Sequence, residues 1–124
     1  MDLGKEYKVV MPYIGGCLSV NAMKIVRAGR RTHRNRSEVD EWMLQLASKV
    51  SHLKGQLEPP IKVRLFGKFR GNRHPDLDNL FKATCDGLKR GLGIDDKYFI
   101  PIAEGFSLGH EEQELVITLE GSRV

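Results

Sequence analysis

Cysteine is scarce in this 124-residue chain: Cys17 and Cys85 are the only two, in no metal-ligand or redox spacing. That excludes a disulfide-stapled scaffold and a thiolate zinc site, and it suits a reducing cytoplasm. Long apolar runs are also missing. No stretch approaches the ~18 residues of a membrane span, and the opening MDLGKEYKVV has no signal-peptide core. The chain is therefore expected to be soluble and cytoplasmic, with no membrane partner. Neither a P-loop nor a G-x-G-x-x-G occurs, so no phosphate cradle of a small-molecule cofactor is expected. Repeats, low-complexity tracts and linkers are absent as well, and residues 1–124 read as a single domain of ordinary size.

Acids are missing from two long stretches, and this absence is the informative one. Between Tyr7 and Glu38 there is none, against Lys8, Lys24, Arg27, Arg30, Arg31, Arg34 and Arg36. Between Pro59 and Pro75 there is again none, against Lys62, Arg64, Lys68, Arg70 and Arg73. The tail reverses the sign: Glu104, Glu111, Glu112, Glu114 and Glu120 face Arg123 alone. Segregation of this kind fits a polyanionic partner, nucleic acid rather than membrane, because no amphipathic basic helix accompanies it. The competing reading is a basic face that is merely solvated.

Hydrophobic spacing predicts the elements. Lys5–Met11 reads as a short strand closed by Pro12. Residues 12–36 are irregular, with room for a short strand near Met23–Val26. Ser37, with Asp40 three residues on, opens a helix whose apolar side is Val39, Trp42, Met43, Leu46, Ala47, Val50 and Leu53, with Gly55 as its C′ residue. A strand is expected over Ile61–Phe69 and a second helix from about Asp78 to Arg90, stopped by Gly91 and Gly93. The remainder reads as a β-hairpin, Phe99–Leu108 turning at Gly109–Glu112 into the arm of Leu115, Ile117 and Leu119. The fold class is α/β: a small mixed sheet of about four strands packed with two main helices.

Chemistry concentrates in His74–Asp96, which holds Asp76, Asp78, Asp86, Asp95 and Asp96 between basic surroundings. Pro75 favours extended geometry before the helix, so Asp76 and Asp78, two apart, can share a side. The Gly91–Gly93 turn allows Asp95 and Asp96 to return toward them. Three converging acids cannot all stay ionised unaided; a hard divalent cation such as Mg²⁺ resolves this with a few carboxylates and several waters. Lys82 would reach the same mouth. Plainer readings stay open. Asp76 or Asp78 caps a helix, Asp95-Asp96 makes a turn, and Lys82 pairs with Asp78 and Asp86 at i, i+4. Leu80, Phe81 and Gly87 break an EF-hand pattern. His33 and His74 read as phosphate contacts or spectators, and no nucleophile triad is in view, which leaves water activated by metal.

These residues resemble a known family. Asp76-Leu77-Asp78-Asn79-Leu80, Lys82, Asp86-Gly87-Leu88 and Ile94-Asp95-Asp96 are similar, in order, to the motif of the RusA-type Holliday junction resolvases of phages and prophages. Ser19-Val20-Asn21 after Pro12 resembles the family's N-terminal segment. The resemblance implies a small α/β homodimer that cleaves four-way DNA junctions by paired nicks with Mg²⁺, for which Mn²⁺ substitutes. It implies that Asp76, Asp78 and Asp96 bind metal, that Lys82 is the essential lysine, and that Asp86, Asp95 and Asn21 occupy family positions of less clear role. Lys24, Arg27, Arg30, Arg31, Arg34, Arg36, Arg70 and Arg73 would bind the DNA backbone. Two departures stand out: Arg70-Gly71-Asn72-Arg73-His74-Pro75 is less basic than the family's arginine run, and Leu92-Gly93-Ile94 is one residue shorter than its counterpart. A nuclease for flaps or single strands, and a non-catalytic DNA-binding dimer, are the alternatives.

Overall fold

The structure, a computed structural model, describes residues 5–19, 24–26, 33–35 and 37–123. Its strands are β1 (Lys5–Pro12), β2 (Lys24–Val26), β3 (His33–Asn35), β4 (Leu57–Lys68), β5 (Phe99–Ser107) and β6 (Glu114–Arg123). Its helices are α1 (Ser37–Val50) and α2 (Phe81–Leu92). Four strands make one mixed sheet in the order β1-β6-β4-β5, and β2 pairs with β3 as a separate antiparallel ribbon. The short strand expected near Met23–Val26 is β2. The α/β class, with two main helices on a four-stranded mixed sheet, is as the sequence indicated.

Alternation decides which face is core. Ile61, Val63 and Leu65 of β4, and Leu115, Ile117 and Leu119 of β6, are fully buried beside Val9 and Met11 of β1. The helices bury Val39, Trp42, Met43, Leu46 and Val50 from α1, and Ala83, Leu88 and Leu92 from α2, in the same cluster. Trp42 Nε1 donates to the carbonyl of Pro12 at 2.7 Å, and Lys49 Nζ to that of Val10 at 2.8 Å. Both bonds tie α1 to the edge strand β1, whose outer carbonyls would otherwise be open to pairing.

The expected C-terminal hairpin does not form. β5 runs parallel to β4, Ile61 opposite Phe99, while β6 runs antiparallel to both β4 and β1. Burial gives the reason. β6 has three fully buried aliphatics and needs a neighbour on each side, whereas β5 buries only Phe99 and suits an edge. The connection 108–113 therefore crosses the end of β4, held by bonds from Gly109 N to Arg70 O and from His110 N to Phe69 O, both 3.1 Å. β4 also starts earlier than expected, at Leu57 rather than Ile61. Pro59 and Pro60 lie inside its span, where the β6 register breaks between Glu58 and Lys62, a gap that residues without an N–H can fill.

The helix ends differ too. α1 is followed by a 3₁₀ turn, Ser51–Leu53, so Gly55 closes that turn instead of the α-helix. α2 begins at Phe81, not Asp78, and Gly91 lies within it; only Gly93, at φ 69°, ends it. Gly91 is a point of helix contact. A Cβ there would stand 2.5 Å from Val50 Cγ2 and 2.6 Å from the Ala47 carbonyl oxygen. Gly91→Ala should therefore destabilise the fold despite its better helix propensity. Overpacking against backbone costs ~1–3 kcal/mol and the propensity gain offsets only ~1. A melting temperature several degrees lower is the expected reading; an unchanged one would mean that the helices part freely.

Candidate active site

Between β4 and α2 the chain makes a 3₁₀ turn, Leu77–Leu80, and apolar burial fixes how it faces. Leu77 and Leu80 enter the core, which leaves Asp76 and Asp78 exposed on the outside. Asp76 is extended, φ −60° and ψ 144°, as expected after Pro75. Both carboxylates line a cavity of about 230 Å³ between this turn and β5, together with His74, Glu104 and Phe106. The capping alternative loses ground for both. Asp76 heads the turn without a side-chain capping bond, and Asp78 lies inside the turn rather than at a helix N-cap.

A second group gathers one turn further along α2. Lys82 Nζ stands 3.3 Å from Asp86 Oδ1, the i, i+4 pair foreseen as the plain reading. Asp96 opens the 3₁₀ turn Asp96–Tyr98. Asp86, Asp96 and Lys82 all act on Cys85: burial, then the Asp86 and Asp96 charges, push its thiol up to about 12, with Lys82 opposing. Asp95 has a structural task, its Oδ1 accepting from Lys97 N at 3.2 Å as the cap of that turn. That backbone bond first, and the neighbouring Asp96 side chain second, hold the Asp95 carboxyl below the usual carboxylate range.

Asp76 and Asp78 thus line one cavity, Lys82 pairs with Asp86 on α2, and Asp96 opens the turn that follows that helix. Among the described residues no three His, Cys, Asp or Glu side chains stand together as a metal-ligand group. The donor chemistry still fits a hard cation: two exposed carboxylates on one cavity are the one-or-two-carboxylate set with which Mg²⁺ keeps several waters. Of the DNA-binding candidates, Arg70 and Arg73 are exposed just upstream of the acids. Arg70 is partly engaged, donating from Nη2 to the Glu111 carbonyl at 2.9 Å. Lys24 and Arg34 lie on the β2–β3 ribbon. Arg27, Arg30, Arg31, Arg36 and Asn21 lie outside the described residues.

Sequence reasoning missed an aromatic group at the cavity. His74 stacks flat on Phe69, centroids 4.1 Å apart at 8°, and meets Phe106 edge-on at 4.5 Å. The signal was faint: Phe69 and His74 are near in sequence, but Phe106 lies more than thirty positions on and joins them only because β5 runs beside β4. His74 Nδ1 donates to the Pro75 carbonyl at 3.0 Å.

The site is therefore a pair of outward aspartates on a turn of a small α/β unit, with a lysine on the following helix and arginines just upstream. A family model described as Endodeoxyribonuclease RusA matches residues 22–120, which include every acid of the site. The chain belongs to the RusA endodeoxyribonuclease family. No curated protein matches it. Among the described residues, no helix is long and apolar enough to cross a membrane.

Proposed function

We propose that this chain, a single RusA-like domain over residues 1–124, is a Mg²⁺-dependent, structure-selective endodeoxyribonuclease that resolves four-way junctions by paired nicks in recombination and repair. The observation that carries the reading is the placing of Asp76 and Asp78 together on one open cavity, turned outward by the burial of Leu77 and Leu80. Asp76 and Asp78, with Asp96, would hold the cation. Bound there, Mg²⁺ supplies Lewis-acid activation of water and of the scissile phosphate, and Mn²⁺ substitutes.

The chain's own side chains do the rest. Lys82 donates to phosphoryl oxygens as negative charge builds in the transition state. Arg70 and Arg73, and the bases of residues 24–36, hold the DNA backbone and fix position rather than sequence. Asp86 keeps Lys82 turned along α2, and Asp95 fixes the turn that presents Asp96. One site cuts one strand, and a junction has two-fold symmetry, so a C₂ homodimer supplies the pair. In support, the sheet face opposite the helices carries Val10, 42% exposed, in one cross-strand row with the half-buried Val116 and Phe66. The same reading puts the protein in the cytoplasm of a bacterium, encoded by host or phage.

The expected result in Mg²⁺ is symmetric double nicking of a mobile four-way junction, with a flap and a plain duplex left nearly whole in parallel digests. Preferred cutting of the flap would instead favour the nuclease for other branched or single-stranded DNA. Tight junction binding with no nicking in Mg²⁺ or Mn²⁺ would leave the non-catalytic DNA-binding dimer.

A further inference from the structure

We infer that Phe106, backed by His74, is a stacking platform for a nucleobase beside the scissile phosphate, a positioning role that rests on the nuclease reading above. Three observations carry it. First, Phe106 is 50% exposed at the wall of the cavity that holds Asp76 and Asp78. A large apolar ring left in water beside two carboxylates does nothing for the core, yet its face suits a base stacked next to a phosphate.

Second, β5 is built to put it there. Phe99, Pro101 and Ala103 lie opposite Ile61, Val63 and Leu65, so a regular strand would turn residue 106 to the other face. Instead the register slips by one: Leu65 faces Ala103, and Phe66 faces Gly105. The extra residue restores Phe106 to the helix side, opposite Gly67. Gly105 takes φ 136° at this bulge, a backbone that a side chain rarely adopts. Bulges that re-aim one side chain are a recurring device next to active sites.

Third, the platform is braced from behind. Phe106 rests edge-on against His74, which lies flat on the fully buried Phe69, and Tyr13 meets Phe69 edge-on at 5.0 Å. Phe69 can fold back over β4 only because Gly67 has no Cβ, which would lie 2.3 Å from the ring. A ring held this way is ordered before DNA arrives, so stacking costs little further ordering. The ligand class is therefore an unpaired or weakly paired base, as at a strand exchange point, read by its face and not by its edge.

The test uses the full chain and a four-way junction with 2-aminopurine at each position flanking the crossover, in metal-free buffer and then in Mg²⁺. The parent should quench one such position, and Phe106→Ala should lose that quench. Phe106→Ala should also slow single-turnover nicking by roughly 5- to 100-fold, with an unchanged melting temperature. Phe106→Trp should restore both signals. An alanine variant that quenches and nicks within twofold of the parent overturns the inference, as does a tryptophan variant no better than alanine. A parent that never nicks sinks the nuclease reading instead, while the quench, measured without metal, still decides the platform.

Discussion

Asp78→Asn should fold normally and nick a four-way junction at least a thousandfold more slowly than the parent in Mg²⁺. Asn keeps the shape of the side chain but removes the charge that a hard cation needs, and a thousandfold loss corresponds to about 4 kcal/mol of transition-state stabilisation. Asp78 is exposed and caps no helix, so the melting temperature should hold. Junction affinity in metal-free buffer should stay level or rise, because one carboxylate fewer faces the phosphates. Asp76→Asn and Asp96→Asn should behave alike. Lys82→Ala should also cut poorly while binding metal as the parent does, since an ammonium donates and does not ligate. Nicking by Asp78→Asn within about tenfold of the parent, a deficit near 1.4 kcal/mol, would remove Asp78 from the metal site.

Replacing Arg30, Arg31 and Arg34 together by alanine should weaken junction binding and flatten its salt dependence. Each lost duplex phosphate contact lowers the log–log slope by roughly 0.9, so three lost contacts lower it by about 2.7. Single-turnover nicking at saturating protein should change far less than affinity does, because these bases hold the arms and touch no reacting atom. Titrations at four or five salt concentrations, parent beside variant, measure this directly. An unaltered slope would take the acid-free stretch away from DNA and leave it a solvated face.

What was legible in the sequence was local. The 3.6-residue spacing of Val39, Trp42, Met43 and Leu46 placed α1, and the alternation of Ile61, Val63 and Leu65 placed the centre of β4, because burial of one face is written into neighbouring residues. The acidic motif was legible for the same reason, its elements falling on one helix and the turns on either side of it. Strand partnership was not. Phe99–Leu108 and Leu115–Leu119 read as a hairpin because the segments are adjacent and joined by a short glycine-containing link, whereas the choice of neighbour depended on which strand had more to bury. Gly91 was misread for a related reason: a glycine near a helix end looks the same whether it stops the helix or admits a neighbouring one. The Phe69–His74–Phe106 group was hidden behind the first of these errors, since only parallel β4–β5 pairing brings Phe106 to the other two. The joining of Asp76 and Asp78 to Asp96 in one metal site rests on the acids' chemistry and on the family, and the variants above decide it.

The place of β6 has a consequence for how the protein is made. It is the last of the strands in chain order, yet it lies between β1 and β4 and supplies every bond that links them. Until β6 has left the ribosome, β1 has no partner in the sheet, and β4 has only what β5 provides. The helices can form early, being local, but they have half a sheet to pack on. Closing it requires pairing residues more than a hundred positions apart, Lys5 with Gly121 and Tyr7 with Leu119, and such distant pairings are the slow kind. Closing of this sheet therefore waits on its longest-range pairings, and its aliphatic strand edges stay open to chaperones, or to one another, until β6 is in place.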